Sequence, residues 1–176
     1  NERGAGHGRA YPPEREFDVD GVYDGKKRAV RWRPPASQPP MAGHVDLAAM
    51  LRPSQQALAY ATTCVRSEAE RDVLLLLGTG QSTKVWLNGA LVHERDVRRA
   101  ARRDADAVRL PLRAGANRLL VKVANQTGTL GLVGRLVDLD RAPLRGVEID
   151  GRREAMAEAW AQSARDVGGV ETIDLG

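Results

Sequence analysis

The sequence predicts an all-β protein: an antiparallel β-sandwich of about eight strands, followed by a C-terminal helix. Three observations predict it. Lys84-Val-Trp-Leu-Asn88-Gly89-Ala-Leu-Val92 places two apolar, β-prone runs on either side of Asn-Gly, the dipeptide best able to occupy the two φ > 0 positions of a tight hairpin. Val108-Arg-Leu-Pro-Leu112 and Arg118-Leu-Leu-Val-Lys-Val123 flank Arg113-Ala-Gly-Ala-Asn117, a second strand, turn, strand unit. No helical period separates these hairpins, which argues against a parallel sheet with crossover helices.

In chain order, residues 1–16 read as a flexible, polar and Gly-rich N-terminal segment, with Tyr11-Pro-Pro13 near its end. Extended stretches follow around Phe17–Val22 and Ala29–Arg33, separated by the turn chemistry of Asp24-Gly25. Pro34-Pro35 and Pro39-Pro40 make a stiff link. Leu47–Leu51 is one helical turn stopped by Pro53. Ala57–Arg66 alternates Tyr60, Thr62 and Cys64 on one face with Ala61, Thr63 and Val65 on the other, as a strand does. Val73–Leu77 is a continuous apolar run closed by Gly78-Thr-Gly80, of a length that suits a strand buried on both faces. A last strand lies near Gly131–Val137, and the sandwich domain spans residues 17–145. Residues 146–176 form a helix and a tail or linker. Asp150 caps a helix over Gly151–Asp166 in which Met156, Ala159, Trp160 and Ala164 make an apolar stripe with the small Ser163 inside it. That stripe either packs back on the sandwich or opens a following domain.

Composition bounds the function. The chain has 176 residues, a net charge of +4, 28% charged and 4% aromatic residues, and lysine only at Lys26, Lys27, Lys84 and Lys122. A single cysteine, Cys64, rules out an intrachain disulfide and a multi-cysteine metal site. No apolar run is long enough to insert in a membrane. The chain begins at Asn1 without a methionine, which reads as a processed chain or a fragment.

Four features in a fixed order then suggest a relationship. They are Leu58-Ala-Tyr-Ala-Thr-Thr before a charged loop, Leu-Gly-x-x-x-x-x-Lys-Val-Trp-Leu-Asn-Gly from Leu77 to Gly89, Ala114-Gly-Ala-Asn-Arg-Leu-Leu-Val-Lys122, and a Gly-rich last strand ending at Arg135-Leu136. Over Val45–Val137 this order resembles the galactose-binding-domain-like jelly rolls appended to large secreted bacterial proteins and glycoside hydrolases. The resemblance implies a jelly-roll module that binds carbohydrate or holds a neighbouring domain, in an extracytoplasmic setting. The chain departs from the family pattern at Gly78-Thr-Gly-Gln-Ser82, which lacks the acidic turn residues, and at Ala116, Leu130, Leu132 and Val133, where aromatics are common. Sugar platforms need an exposed ring face, and the candidates left are Tyr23, Trp32, Tyr60 and Trp86, the last reading as core within its hairpin strand.

Arg95, Arg98, Arg99, Arg102 and Arg103 share one face if their segment is helical. Guanidinium groups so placed bind carboxylates, sulfates or phosphates, whereas Glu94, Asp96, Asp104 and Asp106 nearly cancel the charge and equally describe a solvated loop. The candidate ligand-binding residues are Gln81, Arg95, Arg99 and Arg102. Asp104 and Asp106 are the candidate ligands of a structural calcium ion, with no other cofactor expected. No nucleophile elbow, phosphate loop or dinucleotide fingerprint is present, and His7, His44 and His93 are dispersed. His44-x-Asp46 offers two metal ligands without a third, Cys64 reads as packing, and Asn125-Gln-Thr127 fits a glycosylation triplet. With no recognition motif, nucleic acid is not expected as a partner. The sequence therefore reads as a non-catalytic carbohydrate-binding module of a larger bacterial protein, for acidic glycans if the arginines carry binding. The alternative is a structural sandwich that docks a neighbouring domain without sugar affinity.

Overall fold

A computed structural model describes residues 6–25, 27–34, 44–97, 99, 102–125 and 130–168. Arg98, the Pro39-Pro40 link, Gln126-Thr127 of the glycosylation triplet and the tail beyond residue 168 lie outside the described residues. The described elements are α1 (Pro12–Arg15), β1 (Val22–Asp24), β2 (Ala29–Arg31), β3 (His44–Asp46), α2 (Leu47–Met50), β4 (Ala57–Ser67), β5 (Arg71–Gly78), β6 (Ser82–Leu87), β7 (Ala90–Arg95), β8 (Asp106–Leu112), β9 (Gly115–Asn125), β10 (Gly131–Val137), β11 (Val147–Asp150) and α3 (Arg153–Gly168).

The strands form an all-β antiparallel sandwich. A four-stranded sheet in the order β3-β10-β5-β8 faces a five-stranded sheet in the order β11-β4-β9-β6-β7, and β1-β2 stands apart as a hairpin. Among the described residues the sandwich thus holds nine strands where about eight were expected: seven of them, β4 to β10, are expected strands, and the β1–β2 stretches lie outside it. The additions are the three-residue β3 and the edge strand β11, which precedes a helix beginning at Arg153 rather than Gly151. Asn88 (φ 52°) and Gly89 (φ 88°) turn the β6–β7 hairpin with both residues left-handed, as the Asn-Gly dipeptide requires.

Between the sheets the centre of the packing is aliphatic. Val73, Leu75 and Leu77 of β5 and Val108, Leu110 and Leu112 of β8 meet Val85 and Leu87 of β6 and Leu119, Val121 and Val123 of β9. Every hydrophobic side chain of this core is Ala, Val or Leu, and the polar Thr83 and Asn117 are buried toward the ends of the same strand faces. The aromatic residues lie instead on the outer side of the five-stranded sheet. Tyr60 and Trp86 project from it opposite Lys122 and Leu120. Phe17 packs on both Trp32 (5.5 Å) and Trp160 (5.8 Å), joining the N-terminal segment to α3.

This roof explains why β9 is buried along nearly its whole length on both faces. Ala155 and Ala159 of α3 set their small side chains against Cys64 and Ala116 of the sheet. The helix therefore docks on its own sandwich. From Gly6 onward, the segment expected to be flexible folds across the sheet, with α1 inside it and His7 only 7% exposed.

Candidate functional site

Two regions collect chemistry. The first is the corner where the β5–β6 turn meets the loop joining β7 to β8. The helical face expected from the arginine spacing does not form: the described residues between Arg95 and Asp106 contain no helix. The loop runs from the edge strand of one sheet to the edge strand of the other, and tertiary contacts override its local spacing. A Cβ on Gly78 would stand 2.5 Å from the Arg102 carbonyl oxygen, so glycine is what lets the loop lie against the end of β5. The Arg99 amide donates to the Gly80 carbonyl (3.3 Å), tying the loop to the turn that carries Gln81.

Arg95 and Arg99 each pair with a different oxygen of Asp106, whose side chain is 4% exposed. Burial and the charges of Arg95 and Arg102 lower the Arg99 pKa from its ordinary value. Gln81, Arg95, Arg99 and Arg102 thus occupy one corner, although not along one helix. The calcium reading fits the structure poorly. Asp104 is held by Arg135 (2.6 Å), which lowers its pKa, and Asp106 is engaged by two guanidiniums, a setting that repels a cation. Among the described residues no three of His, Cys, Asp and Glu gather as metal ligands. Asp46 of the His44-x-Asp46 pair instead caps α2, accepting from the Ala49 amide (3.0 Å).

The second region is a groove of about 830 Å³ between the N-terminal segment, the β1–β2 hairpin and the start of β4. Tyr11, Tyr23, Trp32 and Tyr60 line it, three of them among the platform candidates of the sequence. Arg9, Arg28, Arg31 and Arg52 alternate there with Glu16, Asp18 and Asp24. The Tyr23 hydroxyl fixes the hairpin side: it donates to the Asp18 carbonyl (2.9 Å) and accepts from Trp32 Nε1 (3.3 Å). Trp86, the fourth candidate, is 7% exposed and offers no platform.

The opposite wall rests on Lys122, fully buried beneath the N-terminal segment. Its Nζ donates to the carbonyls of His7 (3.1 Å) and Arg9 (2.6 Å) and to Glu14 Oε1 (2.8 Å). It also faces the rings of Tyr11 (5.1 Å) and Tyr60 (5.8 Å). The Tyr60 hydroxyl donates to the same Glu14 oxygen. Burial, then that bond, raises the Tyr60 pKa; burial lowers that of Lys122, with Glu14 opposing. Sequence reasoning missed this centre and its neighbour Arg118, which is 2% exposed and stacked 4.1 Å from the Trp160 ring centroid. The signal was present in β9, where the phase carrying Arg118 and Lys122 also carries Ala116, Leu120 and Ala124, too apolar a set for a solvent face.

No family model matches the chain, no curated protein matches it, and no solved structure matches it. Cys64 is fully buried against α3, and burial raises its pKa, which keeps the thiol protonated and inert.

Proposed function

We propose that the protein is a non-catalytic carbohydrate-binding module of a larger extracytoplasmic bacterial protein, and that its glycan lies in the groove against the β1–β2 hairpin. One observation carries this reading: the same groove combines aromatic rings with guanidinium and carboxylate groups of both signs. A sugar ring has an apolar face that packs on an aromatic side chain, and hydroxyls that both donate and accept. Arginines supply the donors and carboxylates the acceptors. Because the charges nearly balance, the wall suits a hydroxyl-rich, neutral glycan better than a polyanion.

The test is a glycan array probed with the folded chain at low and physiological salt, followed by calorimetry on Arg28→Ala and Arg52→Ala. Both residues are exposed on the groove. Binding to one class of neutral glycan is expected, with little salt dependence and a loss of about tenfold, or about 1.4 kcal/mol, in each variant. A folded chain that binds no glycan would refute the reading and leave docking of a neighbouring domain in its place.

A further inference from the structure

The edge of the sandwich between β7 and β8 is sealed by polar groups. Thr83 and Arg95 face each other across the β6–β7 pair, and His93, on the strand of Arg95, pairs with Val85 on that of Thr83. Arg95 reaches from there to Asp106, which opens β8 in the other sheet, while Arg99 takes the second carboxylate oxygen and directs Nε toward the Thr79 carbonyl (3.4 Å). Positive charge is in excess: Arg95 and Arg99 share the buried Asp106 carboxylate and Arg102 lies close enough to disfavour the charge on Arg99, against one further carboxylate among the described residues of the corner, the exposed Asp96, which accepts from Ser82 Oγ (2.5 Å). Arg95 and Arg99 are nevertheless 40% and 26% exposed, and each fork has more N–H donors than Asp106 uses.

Two buried polar atoms of this corner have no hydrogen-bond partner among the described residues, Thr83 Oγ1 and His93 Nε2. Thr83 is wholly buried. The imidazole stands near both arginines, and burial, then their charge, lowers its pKa. A neutral imidazole with Nε2 protonated is a donor, as is the threonine hydroxyl. We propose that this corner binds an oxyanion, a sulfate, phosphate or carboxylate group, with Arg95 and Arg99 supplying charge and Thr83 Oγ1 and His93 Nε2 supplying neutral donors. One such group accounts for both orphan atoms and the excess positive charge together. A water molecule would satisfy the atoms and leave the charge, and a cation would be repelled. The proposal does not depend on the groove.

The experiment is an NMR titration of the isotope-labelled full chain with sodium sulfate, against sodium chloride at matched ionic strength, following the His93 ring nitrogens and the Thr83 amide. Saturable one-site shifts with sulfate alone are expected. They should weaken at least about tenfold in Arg99→Gln, which leaves Asp106 paired with Arg95, and stay unchanged in the groove variant Arg28→Ala. Thr83→Val provides a check that does not alter charge: with no partner to lose, it should fold at least as stably as the parent in sulfate-free buffer while binding sulfate more weakly. Equal shifts with chloride, or parent-like titration of both Arg99→Gln and Thr83→Val, would overturn the site. A sulfated oligosaccharide that binds more tightly than free sulfate assigns the anion to a glycan, and equal binding assigns it to the free ion; either sustains the site.

Discussion

Lys122 and Arg118 stand four residues apart on β9, both buried, and the fold treats them oppositely. Lys122 has two carbonyls, a carboxylate and two ring faces. Arg118 has Trp160, while its Nε and Nη1 find no hydrogen-bond partner among the described residues, and burial alone pushes its pKa down to about 10. A buried charge stripped of its partner is strongly destabilising, whereas replacing an ill-paired one by an apolar residue of similar volume is often neutral or favourable. Lys122→Met leaves Glu14, whose side chain is 10% exposed, without its counter-charge and with the Tyr60 hydroxyl still bonded, and should cost about 3–5 kcal/mol. Arg118→Met keeps contact with the indole and should raise stability by about 1–3 kcal/mol. Urea denaturation of the two variants checks the opposite signs, and destabilisation by both would contradict this account. Their burial was legible in the apolar phase they share with Ala116, Leu120 and Ala124, but their partners were not, because the phase of a strand says nothing of what covers it.

At the scale of elements, the hairpins were legible because their turns are local chemistry: Asn88-Gly89 specifies its own backbone. The β7–β8 loop was not, since it lies against Gly78, far from it in sequence, and its arginines turn to Asp106 across the two sheets rather than along a helix. Helix α3 falls between these cases. Its amphipathic period was evident, and Ala159 and Ser163 of the expected stripe are buried, but the third buried residue is Ala155, while Met156 and Trp160 are half-buried and Ala164 is exposed. Small residues win that face because the helix lies close on β9 and β4. Trp160 sits beside this contact and bridges Arg118 to Phe17. Ala159→Leu should therefore lift the helix, at a cost of about 1–3 kcal/mol. Hydrogen exchange is expected to lose protection across α3 while β5 keeps its own, and unchanged exchange in α3 would show that the contact is looser than described.

Across the whole molecule, ion pairs tie the roof and sheet edges to the sandwich. Asp72 with Arg109, Glu94 with Lys84, Asp104 with Arg135, Asp150 with Arg152 and Glu158 with Arg66 all hold their carboxyls below the ordinary range, chiefly through those bonds. A carboxylate whose folded pKa is depressed contributes fully above its unfolded pKa and loses the contribution as pH falls through the folded value. All five share that sign. His93, whose pKa is lowered by burial and by the charges of Arg95 and Arg99, adds a loss that begins as pH falls through about 6.5, so thermal stability should decline gently below about pH 6.5 and more steeply below about pH 4. Asp150→Asn should make that fall shallower, and melting curves across pH check both points; a Tm that rises on acidification would oppose the assignment.

The division between an interior of Ala, Val and Leu and an outer side carrying Tyr60, Trp86, Trp32 and Trp160 has a practical side. Ultraviolet absorbance and emission arise from one side of the five-stranded sheet only, and the space between the sheets is dark to both. A fluorescence trace of unfolding times the departure of the N-terminal segment and α3, and methyl resonances time the opening of the interior. The protein carries two separate clocks, and any lag between them measures how far its covering layer comes away before its centre does.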